Sequence, residues 1–169
     1  MQTVLQLRLS LAQRPVSGLL PQGVMRRHYQ GDDDIERWLA IRHAAFARLR
    51  FGVRQWTASD FAAEFTEKWW WSPERMWFAE AAEGANRYCI GAVTLALRGK
   101  RGAATPAVHW LAVVPAWRRL GIASCLMDAL EQACWDAGYR QVDLETHTGW
   151  TAAIEFYRDR GYREVNVAD

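Results

Sequence analysis

At 169 residues the chain is long enough for one domain whose core needs neither disulfides nor a structural metal. Half of its residues are hydrophobic and 24% are charged, an ordinary globular composition. A net charge of +2 gives no reason to expect nucleic acid or an anionic membrane as partner.

Cys89, Cys125 and Cys134 lack CxxC spacing, which points to neither a disulfide framework nor a metal site. Reduced thiols and a cytoplasmic location follow as the expectation.

The N-terminal "MQTVLQLRLSLAQRPV" is interrupted by Gln2, Gln6, Arg8 and Gln13. It therefore lacks the apolar run of a signal peptide and the roughly 20 apolar residues of a membrane span. Leu5, Leu7, Leu9 and Leu11 instead alternate with Gln6, Arg8 and Ser10, the period of a half-buried strand. "VSGLLPQG" (16–23) reads as a turn-rich connector, and "VMRRHY" as a short strand. "GDDDIERWLAIRHAAFARL" opens with acids suited to a helix N-terminus, with Ile35, Trp38, Leu39, Phe46 and Leu49 at helical spacing.

A second helix is predicted from Thr57, where "TASD" resembles a capping box with aspartate in the acidic slot. Phe61, Phe65 and Trp69 line its apolar face, Glu64 sits four residues before Lys68, and Pro73 ends it by holding Ser72 extended. The run "EKWWWSPERMWF" then places Trp69 in the core. Trp70 and Trp71 remain to pack or to shape a substrate pocket, because neighbouring helical residues point about 100° apart. Trp77 is expected to pack.

"RMWFAEAA", "RYCIGAVTLALRG" and "AVHWLAVVP" read as strands. "GIASCLMDALEQACWDAG" is a strong amphipathic helix stopped at Gly138. "RQVDLET", "WTAAIEFYRDRG" and "YREVNVA" follow as strand, helix and strand. This alternation predicts an α/β layered domain.

"AVHWLAVVPAWRRLGIASCLM" carries the chemistry. A strand feeds a loop and then a helix N-terminus, whose first N–H groups lack intrahelical partners and favour a phosphate. Gly121 admits a ligand close to the backbone, Ala123 leaves that approach open, and Arg118 and Arg119 can add charge-assisted bonds. The Gly-Lys-Ser/Thr ending of a P-loop and the GxGxxG of a dinucleotide fold are both absent.

"RRLGIA" resembles the Arg/Gln-x-x-Gly-x-Gly/Ala signature of the GNAT superfamily, the acyl-CoA-dependent N-acyltransferases. "LETHTGWTAAIEFYRDRGY" is similar to that family's closing segment, with Ala153, Tyr157, Gly161 and Tyr162 at matching positions. The resemblance covers residues 24 to 165, most specifically 107 to 162. It implies a single three-layer domain, α/β (α+β), with a mixed central sheet and helices on both faces over residues 24–169. Residues 1–23 would precede it as strand and connector.

The resemblance further implies an N-acetyltransferase using acetyl-CoA as co-substrate, without metal, on a small-molecule amine or a protein N-terminus. It assigns Arg118, Arg119, Leu120, Gly121, Ile122, Ala123 and Ser124 to the pyrophosphate, and Leu111 and Val113 to the pantetheine arm. Tyr157 takes the place of the tyrosine that serves the leaving thiolate. For the base two candidates stand. Glu145 lies twelve residues before Tyr157 at a strand end, and His109 lies two residues before Leu111, on what regular alternation makes the same strand face. Histidine is a good base near neutral pH.

Two departures bear on this. Trp150 stands where the family usually has asparagine, which leaves room for a degenerate acyl-CoA-binding sensor or interaction module. The strand after Tyr162 lacks the further strand that would complete a hairpin. The resulting edge would be covered by the N-terminal strand or by a partner subunit, as in a homodimer.

Overall fold

The computed structural model describes residues 3–47 and 54–166. The alternating leucines form β1 (Val4–Ser10), and β2 (Val24–His28) follows the connector. Helix α1 spans Asp33–Phe46; Leu49, expected on its apolar face, lies outside the described residues. The predicted capping box is present: Thr57 accepts from Asp60 N, and the Asp60 carboxylate accepts from Thr57 N. It starts α2 (Ala58–Phe61), which runs into a π-helical turn over Ala62–Thr66.

Strands β3 (Met76–Glu83), β4 (Asn86–Arg98) and β5 (Thr105–Val113) form consecutive antiparallel pairs. Helix α3 (Ile122–Asp136), β6 (Gln141–His147), α4 (Thr151–Asp159) and β7 (Arg163–Glu164) complete the order.

One mixed sheet has the order β2-β3-β4-β5-β6-β1-β7 among the described residues. Its neighbours are antiparallel except β5 and β6. Helices α3 and α4 cover one face, over Leu7, Trp77, Val142, Leu144 and Tyr162. Helices α1 and α2 cover the other, over Trp38, Phe61, Phe65 and Phe78. The α/β domain with helices on both faces is therefore as expected.

Between β2 and α1, Asp34 accepts from Arg27 at 2.7 and 2.8 Å and from Gln30 N at 2.8 Å. Burial alone would raise the Asp34 pKa. These bonds outweigh it and hold the carboxyl below its ordinary value. An acid of the "DDD" run thus serves as a buried anchor between two elements.

The N-terminal strand inserts between β6 and the edge strand β7. All seven residues of β1, Val4 to Ser10, pair antiparallel with His147 to Gln141, and β7 pairs with β1 at Leu7 and Arg8. Residues 11–21 then run as a strap along α3, from its C-terminal end toward its start. Arg14 pairs with Asp136 at 2.8 Å, Gln132 donates to Pro15 O at 2.9 Å, and Gly18 N donates to Asp128 at 3.0 Å. Pro21 ends beside Gly121, 3.8 Å from where a Cβ on that glycine would lie.

The tryptophan run departs from the prediction. Trp69 is 40% exposed, with the Arg101 guanidinium 5.5 Å over its ring, whereas Trp70 is 7% exposed and belongs to the core. The π turn explains the exchange. Glu67 N donates to Ala62 O, five residues back, so the turn holds one residue more than an α-turn. The buried stripe therefore steps from Phe65 to Trp70 instead of Trp69. The helix also stops before Pro73, which opens a short 3-10 turn, while Ser72 is extended as expected. Trp71 packs on Tyr29 and Phe61, and Trp77 packs against His28.

Candidate active site

The registered pair between β5 and β6 is Ala107 with Asp143. Beyond it the parallel strands leave each other's ladder, and each runs from its C-terminal end toward a helix: β5 toward α3, β6 toward α4. A gap flanked by two helix N-termini is the usual ligand crevice of a sheet at the carboxyl ends of its parallel strands.

The loop entering α3 is shaped for close backbone approach. Pro115–Trp117 form a 3-10 turn, Arg119 has φ +62 and Gly121, the N-cap, has φ +82. Left-handed residues in such a turn are the backbone element from which anion-binding concavities of successive N–H groups are built. The first α-helical bond returns from Cys125 N to Gly121 O at 3.0 Å, leaving the N–H groups of Ile122, Ala123 and Ser124 at the helix mouth. Gly91 on β4 seats the helix: a Cβ there would lie 3.1 Å from Ala112 O and 3.2 Å from both Ile122 and Leu126. Leu120, at the loop's tip, is 53% exposed.

The two arginines of the loop differ. Arg118 donates through Nε to Val113 O at 3.2 Å and through Nη2 to Ala45 O at 2.7 Å. Its charge thus lies at the C-terminal end of α1, where a cation is favoured. Arg119 is exposed. Of the strand residues, Leu111 is half-buried and Val113 buried, both packed on the α3 side.

Substitution of Gly121 by valine is expected to abolish binding of a pyrophosphate-bearing ligand at this loop while the fold survives, because a β-branched residue does not adopt φ +82. Calorimetric titration checks it, and wild-type affinity would contradict the cradle.

His109 does not share a face with Leu111. The β4–β5 register runs from Ala92 opposite Ala112 to Thr94 opposite His109, so Trp110 and Leu111 together oppose Val93. This bulge, with Trp110 at φ +52, shifts the alternation. His109 and Trp110 both turn to the α1/α2 face. There His109 lies against Phe65, Trp70 and Trp110, at ring distances of 5.6, 6.1 and 6.2 Å.

Both residues meet Glu64 of the π turn. His109 Nε2 lies 2.7 Å from Glu64 Oε1, and Trp110 Nε1 donates to the same oxygen at 3.2 Å. The bond from His109, aided by Trp110 and opposed by burial, holds the Glu64 carboxyl below its ordinary pKa. Glu64 was not a candidate from sequence. The available signal was its position three residues after Phe61, which puts it on the border of the buried stripe.

Glu145 also faces the α1/α2 side, but on open sheet. Its Oε1 accepts from Gln6 of β1 at 2.5 Å and lies 3.2 Å from Arg98. Trp150, the N-cap of α4, stacks on Phe46 of α1 at 5.8 Å and 22°, so the non-asparagine residue joins α1 to α4. Trp70 borders His109, and Trp71 lies farther back against Tyr29.

Tyr157 occupies the opposite face, in the core under α3 and α4 beside Tyr162. Burial raises its hydroxyl pKa, with Arg160 opposing, so the group stays protonated. Arg160 itself is clamped to Glu131 at 2.7 Å and Asp128 at 2.9 Å, and Tyr162 donates to Glu131 at 3.2 Å. This buried network fixes α4 against α3 and so fixes the place of Tyr157.

Burial pushes the Cys89 thiol up to about 11 and that of Cys134 up to about 12, and raises Cys125 as well. None is a thiolate near neutral pH, and a thiol is a poor acyl acceptor. Among the described residues, no helix is long and apolar enough to cross a membrane.

The comparisons with known proteins agree with this arrangement. Residues 37–162 match the model of the acetyltransferase (GNAT) family. No curated protein matches the sequence. A GCN5-related N-acetyltransferase from Sphaerobacter thermophilus is similar in structure, with TM-score 0.77 and 20% identity over 97% of this chain. This chain spans 49% of that protein's length.

Arabidopsis thaliana Naa50, in complex with the bisubstrate analogue CoA-Ac-MVNAL, has TM-score 0.64 and 21% identity over 85% of each chain. The aminoglycoside N-acetyltransferase AAC(6')-Iy, in complex with CoA, has TM-score 0.61 and 18% identity over 89% of this chain and 96% of its own. At these identities the structural likeness establishes the fold. The match of the family model over most of the chain establishes more: this protein belongs to the acetyltransferase (GNAT) family.

Proposed function

We propose that this protein is an acetyl-CoA-dependent N-acetyltransferase that moves the acetyl group to a primary amine by direct attack on the thioester. The observation that carries the reading is the separation of β5 and β6 beyond their one registered pair, with the left-handed loop into α3 at the end of β5; Tyr157 and His109 lie on opposite faces of the same sheet.

In this reading the pyrophosphate takes the N–H groups of residues 121–124 and the charge of Arg119, and the pantetheine arm runs beside Leu111 and Val113. Arg118 braces the loop through Ala45 and Val113. The thioester then lies in the gap, and the acceptor approaches from the α1/α2 face past His109, with Trp70 in the wall.

The amine nitrogen attacks the carbonyl carbon, a C–N bond forms, and the C–S bond breaks. The proton lost by nitrogen goes to a base, and the thiolate regains one to give free CoA. We place the base at His109 rather than Glu145, because Gln6 and Arg98 already engage the Glu145 carboxylate. The Tyr157 hydroxyl, made less acidic by burial, serves best as a hydrogen-bond donor to the developing thiolate. The raised cysteine pKa values favour direct transfer over an acyl-cysteine intermediate.

A thermal shift with acetyl-CoA tests the cofactor. At 100 times its dissociation constant a ligand of the native state adds about 2.7 kcal/mol. Absence of any shift at millimolar acetyl-CoA would remove the reading. The sensor alternative shares the shift and differs in releasing no thiol.

A further inference from the structure

We infer that Glu64 is a positioning residue for the transfer reaction, fixing both the tautomer and the ring orientation of His109. The inference rests on the assignment of His109 as base and adds a residue to it.

Two backbone irregularities converge on this contact. The π turn over Ala62–Thr66 places Glu64 on the sheet-facing side of its helix. The bulge in β5, with Trp110 at φ +52, brings two consecutive strand residues to one face. In a regular strand only one of His109 and Trp110 would reach Glu64. A non-glycine residue at positive φ costs of order 1 kcal/mol or more and persists where surrounding contacts hold it. Here its result is that Nε2 of His109 and Nε1 of Trp110 meet the same carboxylate oxygen, at 2.7 and 3.2 Å.

The proton positions follow from the donor inventory. The Glu64 carboxyl is held ionised and is then acceptor only, and the Trp110 indole is donor only. The imidazole must therefore carry its hydrogen on Nε2 when neutral, which leaves Nδ1 as the basic nitrogen. The flanking rings of Phe65, Trp70 and Trp110 restrict rotation of the imidazole. Trp110 has a second part: its bond to Oε1 keeps that oxygen turned toward His109.

Two variants separate orientation from charge. In Glu64→Ala, the oxygen is gone, and kcat is expected to fall about 10- to 100-fold, part of the 100- to 10,000-fold that a positioned base supplies. KM for acetyl-CoA should move less than about twofold, because the cradle is untouched. In Glu64→Gln, two N–H donors still converge on one site, so the amide places its oxygen there and recovers most of the lost kcat.

Nitrogen-15 spectra of histidine-labelled protein supply the direct readout. The His109 resonance, assigned by its loss in His109→Gln, should report the Nε2–H tautomer in the wild type and in Glu64→Gln. It should report a mixture in Glu64→Ala. If His109→Gln is inactive while Glu64→Ala keeps wild-type kcat, or if Gln is as damaging as Ala, the positioning role is wrong. If His109→Gln itself retains full activity, the assignment of the base has failed instead.

Discussion

Replacement of His109 by glutamine is expected to lower kcat/KM for the amine about 100- to 10,000-fold, the contribution of a positioned general base. Acetyl-CoA affinity should remain at the wild-type level. Glutamine is the informative choice because its amide can still donate to Glu64, which lies 2.7 Å from His109 Nε2, and it fills a similar volume between Phe65 and Trp70. What it lacks is a nitrogen that can take a proton. Steady-state thiol release checks the loss and calorimetry checks the binding. A variant as active as the wild type would move the base elsewhere, with Glu145 the next group to replace.

The second large effect concerns β1. Leu7 is fully buried, its neighbours in the sheet being Leu144 of β6 and Glu164 of β7. Leu7→Ala is expected to destabilise the protein by about 2–5 kcal/mol, the range for emptying a core leucine site. A typical domain has only about 5–15 kcal/mol in total. Deletion of residues 1–11 should be worse still. It strips β6 of a partner along its whole length, removes the strand to which β7 is bonded, and bares an edge next to Val142 and Leu144. An unfolded or aggregating product is expected, since an unpaired apolar edge invites association. A truncated chain that stays monomeric with an unchanged Tm would show that β1 is dispensable.

These two sites illustrate what could be read from the chain. The strand character of β1 was plain in the alternation of its leucines, and Thr57 and Asp60 announced their capping box, because both are local patterns. That β1 would cover the edge near the final strand was one of two alternatives the sequence left open; its insertion between β6 and β7 was not legible, since it depends on pairing with residues more than a hundred positions away. The loop into α3 was legible down to Gly121, whose left-handed backbone a glycine suits.

Two one-residue insertions in otherwise regular elements defeated the periodicity argument. The π turn moved burial from Trp69 to Trp70, and the bulge at Trp110 separated His109 from Leu111. Neither leaves a mark in a pattern of apolar residues, because each keeps the element and changes only its phase. Both sit beside Glu64 and His109, so the places where regular alternation fails are also the places where the proposed chemistry is assembled.

Arg118 shows a different limit. Its guanidinium reaches Ala45 O at the end of α1, a contact that its type and position in the sequence did not indicate. Residue chemistry indicated a cation at the loop, and only tertiary packing decided which carbonyls it would meet.

Incubation with acetyl-CoA and a panel of amines shows whether the protein transfers acetyl to an amine. The panel should span small amines, aminoglycosides and peptides with free N-termini, with CoA thiol and acetylated product both measured by mass spectrometry. At least one amine is expected to give thiol and N-acetyl product in equal amounts, and His109→Gln to suppress both together. Saturable binding of acetyl-CoA with thiol release no faster than the enzyme-free blank for every amine would contradict the proposed transfer, and would leave a protein that binds the donor without transferring from it.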